Sequence, residues 1–536
     1  MNQRLDRYLL LVVAGISLYW VGRFFDRGMG VIDEGFVAAL SMRIVNGELP
    51  YKDFFTLLIP GVFLLHAGLY EVFGPSLWIG RCVLLVVATG IPVLVYLIAR
   101  KRLSPWASAA AAGLSLIWGP HALEHINHAN YNWMASFFAL VALWLTGRWV
   151  HKGAPQAARA FNAPLFCIGL ALGLSIFFKQ TIGGYAFIAI ALFMLCFQSG
   201  WSLWRAWIWM SVGAFVVHIP VLVWLGWHGA LPDMFRHILL IPLSDFSKGG
   251  AHPYPSMWPV WPGFPAINLD VSTTFLALMP WCYAVVALWW LFDFIRTRLN
   301  STLDSPEAQR ERAQEALILL YSGFAFLGNF PRADYGHLLY NMSAGYIVLM
   351  VLASRLQALL TRLAGTKVAL GAVVLLGLFL ARPLVEQGIR IPLWTLGARD
   401  TAWDHPRGGV KTSAHDAKVF TQVVSEMERI KKTGAQIFVL PNAPLLTFLA
   451  DVPNPTRYDV LMPGNYERGT LQELQALLAR GHIQWIVWRH RPMDNLVLAD
   501  YEPEFAAFLK RHYQSVQRFD DYEFLTWRAT PSAAAP

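Results

Sequence analysis

Residues 76–102 read SLWIGRCVLLVVATGIPVLVYLIARKR. From Cys82 to Ala99 no side chain carries a charge, and the run stops on Arg100-Lys101-Arg102. About 20 apolar residues in helical conformation cross the hydrocarbon layer of a bilayer. A basic cluster directly after such a run marks its cytoplasmic end. The stretch therefore predicts a membrane-spanning helix over 76–99. Working outward, further apolar runs lie at 8–25, 105–119, 131–148, 163–178, 182–198, 206–227, 272–292, 314–330, 338–354 and 368–381. The expectation is an α-helical polytopic membrane protein of about eleven transmembrane helices. Arg4 and Arg7 precede the first run, and no small-residue cleavage site follows it. That pattern predicts a retained first helix rather than a removed signal peptide.

The whole chain agrees with that class. Its 536 residues are 56% hydrophobic and only 14% charged, with a mean hydropathy of +0.43. Soluble domains are about 45–50% apolar and about 25% charged. A disordered chain, a coiled coil and an ordinary soluble enzyme are excluded. The four cysteines, Cys82, Cys167, Cys196 and Cys282, lie in apolar segments without CxxC spacing, which argues against a disulfide scaffold or a zinc finger. The net charge of +9 follows topology rather than nucleic acid. With the N-terminus in the cytoplasm, the inner segments hold sixteen Lys and Arg against eight in the longer outer loops. Eleven crossings place the C-terminus outside. The last span is the short one, with Lys367 at its edge; if it does not cross, the C-terminal region is cytoplasmic.

Two outer loops are long, 24–75 and 228–271. In the first, Glu34 to Val45 reads as an amphipathic helix with Phe36, Leu40 and Ile44 on one face, and Pro60 to Phe73 as an interfacial helix lying on the membrane. His66 and Glu71 on that second helix are expected to face the surface. The other loop is rich in Pro and Trp. From 383 the apolar runs shorten to strand length. Ile437–Leu440 and Trp485–Trp488 read as buried strands, and 414–432, 470–481 and 503–514 as helices. The domain organisation is thus 1–382, transmembrane, and 383–536, a soluble extracytoplasmic α/β domain.

The first chemical candidate is Asp33-Glu34, adjacent carboxylates just outside the first span. Such a pair serves as a general base or metal site, or, with Asp33 as N-cap, simply starts a helix. Cations on the same outer side are Arg81 at the start of a span, Lys179 between two short helices, and Arg332, with Asp334 and His337 close by. The second outer loop holds His121, Glu124, His125 and His128, in pairs spaced i, i+4, which suit zinc or manganese if the segment is helical.

The order of these pieces is specific. Asp33-Glu34-Gly35, the helix to Val45, Gly47-Glu48-Leu49-Pro50-Tyr51-Lys52-Asp53-Phe54, Pro60-Gly61, Gly74-Pro75-Ser76 and Arg81 follow one another. Phe178-Lys179-Gln180 and Asn329-Phe330-Pro331-Arg332-Ala333-Asp334-Tyr335-Gly336-His337 come later. Together they resemble GT-C integral-membrane glycosyltransferases, in particular glycosyltransferase family 39, the protein O-mannosyltransferases and the lipid A aminoarabinose transferase. The resemblance covers about 1–380, with its best motifs in 31–81. It implies sugar transfer, with inversion, from a polyprenyl-phosphate donor to a protein, lipid or glycan acceptor on the outer face of a bacterial inner membrane. It implies Asp33 as base and Glu34 orienting the acceptor or a metal. Arg81, Lys179, Arg332 and His337 would meet the donor phosphate. Glu124, His128 and Asp53 are the acceptor or metal candidates. Glu124 is the only acid in its loop, whereas relatives often carry a second, so a divalent metal ion stays an open expectation and no cofactor is certain. In the C-terminal domain, Pro453-Asn454-Pro455-Thr456-Arg457-Tyr458-Asp459 recurs in similar form in bacterial relatives and reads as a structural turn, the alternative being that it caps the site or presents the acceptor.

The competing classes are a lipid or glycan transporter and a non-catalytic envelope-assembly protein. A transporter predicts mid-membrane charges and repeated halves. The spans carry few such charges, His218 being the main ionisable exception, and no repeat is visible.

Overall fold

The computed structural model describes residues 3–122, 126–152, 162–197, 200–246, 271–299, 305–330, 332, 334–463, 466–467, 469–492 and 497–528. Nine long or medium helices open the chain: α1 (Gln3–Phe24), α2 (Asp33–Val45), α3 (Gly61–Phe73), α4 (Leu77–Ala99), α5 (Pro105–Ile117), α6 (Tyr131–His151), α7 (Ala163–Phe178), α8 (Gln180–Phe197) and α9 (Gly200–Trp227). Helices Val271–Leu299, Pro306–Leu327, Gly345–Ala364 and Thr366–Val385 complete the bundle. Ten of the eleven expected segments each form a single helix, to within a few residues. Seven helices among the described residues are long and apolar enough to cross a membrane: α1, α4, α6, α8, α9 and parts of Val271–Leu299 and Gly345–Ala364. The segment expected at 338–354 is divided: a short helix, Tyr335–Asn341, precedes Gly345–Ala364.

Caps and small residues explain the ends and the packing. The side chains of Ser76, Ser104, Asn130 and Ser305 accept backbone N–H groups at the starts of their helices, which supplies partners for donors that a helix leaves unpaired. Gly169 and Gly173 on α7 face α9 at backbone contact. A Cβ at Gly169 would lie 2.1 Å from the Met210 carbonyl oxygen, and one at Gly173 2.5 Å from that of Ala214. This small-xxx-small spacing sets how close α7 and α9 lie, and so where the end of α7 delivers Lys179.

The two ends of the bundle differ chemically. At one end Glu315, 2% exposed in its side chain, bridges Arg102 and Arg355, Arg355 also meets Asp293, and Arg100 pairs with Asp6. At the other end lie the starts of α2, α4 and α6 and the end of α7. α4, at about 1.5 Å per residue, separates Arg100 from Arg81 by most of a bilayer.

After Val385 the chain stays helical through Ile391–Ala398, so the backbone runs straight past the boundary at 382 that composition suggested. A two-stranded antiparallel pair follows, β1 (Thr401–Ala402) with β2 (Lys411–Thr412). Then come β3 (Ile437–Leu440), β4 (Trp485–Arg489), β5 (Tyr513–Phe519) and β6 (Tyr522–Trp527) in the order β3-β4-β6-β5. β3 and β4 are parallel and the other pairings antiparallel. Helices Ala414–Lys431, Thr470–Ala479 and Pro503–His512 lie where the periodicity put them. The β5–β6 hairpin was not anticipated, because β5 is a mostly exposed edge strand with no apolar face to read.

α2 is not a surface helix, whereas α3 buries one side and leaves Gly68, Glu71, Val72 and Phe73 exposed. In α2 the residues Glu34, Gly35, Val37, Ala38, Ala39, Leu40, Ser41 and Arg43 are all buried, since the helix is enclosed by the bundle and the C-terminal domain. His66 on α3 is 3% exposed and bonds through Nδ1 to the Val62 carbonyl at 2.9 Å, contrary to the surface position expected; Glu71 is exposed.

Candidate functional site

The carboxylate pair divides. Successive helical residues point about 100° apart. Glu34 turns inward and takes Arg81 in a two-pronged ion pair, Nε–Oε1 at 2.6 Å and Nη2–Oε2 at 2.7 Å. It also accepts the Gly30 N–H at 2.9 Å. Arg81 is fully buried and donates in addition to the carbonyls of Phe25, Arg27 and Gly28. All five Arg81 donors are used within the protein, and Glu34 accepts three bonds, so the pair pins the chain before α2 to the start of α4.

Asp33 points the other way. It is the first residue of α2 rather than its cap, the N-cap position being Ile32, and it is half-buried. Its charge acts on Lys179, Tyr131 and Tyr340. Lys179 ends α7, and its ammonium lies over the Tyr131 ring, 4.5 Å from the centroid. Burial pushes the Lys179 ammonium down to about 8, against the pull of the Asp33 carboxylate. A lysine so desolvated gains by binding an anion. Tyr131 also senses Arg332 and Asp334, so the ring is the common neighbour of the whole group.

Arg332 and His337 are held by one carboxylate. Asp334 caps the Tyr335–Asn341 helix, its Oδ1 accepting the His337 N–H at 3.0 Å. The His337 ring Nδ1 bonds the same oxygen at 2.8 Å, and Arg332 Nε bonds Oδ2 at 2.8 Å. Burial alone would raise the Asp334 carboxyl. The bonds from the His337 ring and backbone and from Arg332 outweigh it and hold the group well below the usual carboxylate range. Deeper in, Asn130 Nδ2 donates to the Tyr340 hydroxyl at 2.8 Å, tying this short helix to the start of α6. Sequence reasoning missed Asn130, Tyr131 and Tyr340 as site residues. Their signal is faint, since an Asn-Tyr pair opening a span reads as an ordinary cap with an interfacial aromatic.

The remaining candidates lie elsewhere. Asp53 accepts the Leu49 N–H at 2.7 Å and closes a turn. His121 is buried in a short helical turn rather than an α-helix. Its Nε2 accepts from Trp20 Nε1 at 3.1 Å, its ring stacks on Phe24, and burial pushes its pKa down to about 4, so it is a neutral acceptor. His128 is buried beside Ala129 at a small cavity that Glu34, His66 and Tyr70 also line. Glu124 and His125 lie outside the described residues, as does the Pro- and Trp-rich part of the second long loop. Among the described residues no three His, Cys, Asp or Glu side chains converge to hold a metal ion.

With this geometry in place the chain can be set beside known proteins. Residues 59–227 match the profile of the dolichyl-phosphate-mannose-protein mannosyltransferase family. No curated protein matches in sequence. Among solved structures, ArnT from Cupriavidus metallidurans bound to undecaprenyl phosphate superposes with a TM-score of 0.60 at 15% identity, over 99% of each chain. The chain has the GT-C fold. The oligosaccharyltransferase AglB from Archaeoglobus fulgidus, in complex with an inhibitory peptide and a dolichol-phosphate, gives 0.51 at 11% identity over 98% of this chain and 75% of AglB. The mycobacterial arabinofuranosyltransferase AftD gives 0.51 at 13% identity over 98% of this chain and 40% of its own. The GT-C architecture therefore runs through both the bundle and the C-terminal domain.

Proposed function

We propose that this protein transfers a sugar from a polyprenyl-phosphate donor to an acceptor hydroxyl at the membrane surface. The observation that carries the reading is the meeting of one carboxylate, Asp33, with the anion-seeking groups Lys179, Arg332 and His337 around Tyr131, at one end of a GT-C bundle. ArnT, which shares the fold along its whole length, is known in complex with undecaprenyl phosphate.

The chemistry balances on these residues. The acceptor oxygen attacks the anomeric carbon, and the bond from that carbon to the donor's phosphate oxygen breaks, with inversion. Asp33 takes the hydroxyl proton as general base. The electron pair stays on the departing phosphate, which turns from a singly charged diester into a more highly charged monoester. Lys179 and Arg332 stabilise that growing charge, and His337 donates a hydrogen bond to it. Tyr131 keeps the Lys179 ammonium in place through its ring face. With the N-terminus in the cytoplasm, as the basic loops favour, the site opens on the outer side of the membrane.

The test is direct. Purified protein in mild detergent is analysed by lipid mass spectrometry for a bound polyprenyl phosphate. It is then incubated in liposomes with a panel of polyprenyl-phosphate sugars and cell-envelope extract, and release of polyprenyl phosphate is followed. Co-purified lipid, and release that requires the extract and Asp33, is the expected result. Absence of bound lipid together with no release from any donor overturns the reading.

A further inference from the structure

We propose that the C-terminal domain is a working part of the transfer site, with Arg43 and Asp459 as positioning residues that hold α2, and through it Asp33, in register with Lys179. This inference rests on the role given to Asp33 above.

The domain frames Asp33 on both sides. Before it, the Gly28 N–H donates to the Lys411 carbonyl at 2.8 Å, and the Lys411 N–H donates to the Asp26 carbonyl at 2.7 Å. Two residues before Asp33, the Val31 carbonyl accepts the Leu445 N–H at 3.3 Å. Two residues after it, Gly35 lies against the same turn of backbone: a Cβ there would be 2.2 Å from the Leu445 nitrogen. No side chain fits between α2 and the domain at that point.

The far end of α2 is fixed by a buried polar hub. Arg43 donates to Asp459 Oδ2 at 2.8 Å, to the Thr456 carbonyl at 3.0 Å, to Glu48 at 2.7 Å and to the Asp53 carbonyl at 3.0 Å. Its guanidinium lies over the Phe54 ring. Asp459 is held from behind by Asn454 Nδ2 at 3.0 Å. The Arg43 and Asp459 side chains are 8% and 1% exposed. Thus two sequence motifs far apart, 48–54 and 453–459, meet at one arginine. The second motif, which alone reads as a structural turn, is a socket for α2.

A desolvated ion pair is a weak source of net stability, and its best-attested use is to fix one arrangement over others. What it fixes here is α2. Ten residues separate Arg43 from Asp33, about 15 Å along the helix axis, so Arg43 cannot touch the reacting atoms. It acts by holding a rigid rod whose other end carries the base. A misplacement of about 1 Å at such a group costs on the order of 10²-fold in rate.

The test uses full-length protein in detergent and titrates undecaprenyl phosphate across pH 6.5–9.5, following intrinsic tryptophan fluorescence. The readout is the pH at which affinity begins to fall, which reports the Lys179 ammonium. Asp33 from α2 acts on Lys179 and Tyr131 from α6 lies under its ammonium; Arg332 and Asp334 act in turn on Tyr131, and Asp33 and Tyr131 on Tyr340. Asp33→Asn removes the nearest favourable charge and sets the limit, with the midpoint moving down. Arg43→Met moves it the same way by about half a unit, which is about threefold weaker binding on the alkaline side. Loss of the Arg43 charge by itself would push Lys179 up, so a downward shift reports displacement of Asp33. Asp459→Asn shifts it downward as well, and Arg43→Met adds nothing on the Asp33→Asn background. Arg43→Lys keeps the charge without the fork geometry, protects against a misfolded variant and gives an intermediate shift. A wild-type or raised midpoint in Arg43→Met, with Asp33→Asn shifted, overturns the positioning role alone. An unshifted Asp33→Asn overturns the pairing of Asp33 with Lys179, and with it both readings.

Discussion

Arg81 offers the sharpest decision between the chemistry that its position in the sequence suggests and the role that the structure gives it. Consider Arg81→Met, which keeps the apolar stem and deletes the guanidinium. The substitution removes two short ion-pair bonds to Glu34 and three bonds to carbonyls, from a side chain with no exposed surface. Glu34 keeps only the Gly30 N–H. Breaking one partner of a buried pair costs about 3–5 kcal/mol, because the other charge stays behind unpaired. Membrane proteins of this size unfold irreversibly in detergent, so the quantity to measure is a rate. If the loss falls on the unfolding step, a cost of about 3 kcal/mol shortens the folded half-life at fixed temperature roughly a hundredfold. The companion Glu34→Gln alone suffers similarly. The double variant Arg81→Met/Glu34→Gln is more stable than the sum of the two, by about 2–3 kcal/mol, as directly coupled sites require. Affinity of the surviving folded fraction for undecaprenyl phosphate stays within about threefold of wild type. A phosphate ligand behaves oppositely: loss of a charge-assisted bond weakens binding by about 1.5–3 kcal/mol, or roughly 10- to 100-fold, without touching the half-life. A wild-type half-life combined with tenfold weaker lipid binding in Arg81→Met would refute the ion-pair reasoning.

Other consequences follow from the same geometry. Asp33→Asn lowers turnover by at least about 10²-fold, the usual share of a positioned base, and leaves undecaprenyl phosphate bound; wild-type turnover in steady-state assays would remove Asp33 from the chemistry. The Lys179 ammonium, held at about 8 when free, rises on binding an anion, so donor affinity is constant at lower pH and falls up to tenfold per unit above about 8. Lys179→Arg abolishes that fall in a pH titration, whereas a flat wild-type profile to pH 9.5 contradicts the placement. Asp334→Ala frees Arg332 and His337 together and weakens lipid binding by about tenfold, while Asp334→Asn, which retains the cap, does less; calorimetry on the two variants ranks them. Gly169→Val forces α7 from α9, and thermal unfolding in detergent registers a loss of a few kcal/mol, as expected for overpacking against backbone.

Much of the fold was legible because a membrane leaves few solutions. Among the described residues all but one of the apolar runs of span length form a single helix, since uncharged stretches in lipid must satisfy their own backbone. The strands Ile437–Leu440 and Trp485–Arg489 were readable for a related reason: both are buried on two faces and so nearly continuous in apolar residues. What periodicity could not give was partnership. α2 was read as amphipathic from Phe36, Leu40 and Ile44, yet its opposite side carries Ala38, Ala39 and Arg43, which the C-terminal domain covers. Nothing within residues 33–45 announces a cover that arrives four hundred residues later. The same blindness applies at Arg81. A cation near the start of a span has two physically sound destinations, the water interface or a buried carboxylate, and only the fold says which lies within reach.

The separation of Asp33 from Glu34 shows why adjacent acids need not share a task. On a helix they diverge, so the two meet different neighbours. Glu34 accepts from Arg81 and Gly30 and is part of the scaffold. That anchoring has a consequence for Asp33. Because Glu34 fixes the rotation of the first turn of α2 from the bundle side, and Val31 with Gly35 fixes it from the C-terminal domain, the direction of the Asp33 side chain is determined twice over. The Lys179 ammonium lies over the Tyr131 ring face and is acted on by the Asp33 carboxylate. In the proposed role of Asp33 as base, the first turn held by Glu34 fixes the direction from which that carboxylate meets both the ammonium and the acceptor.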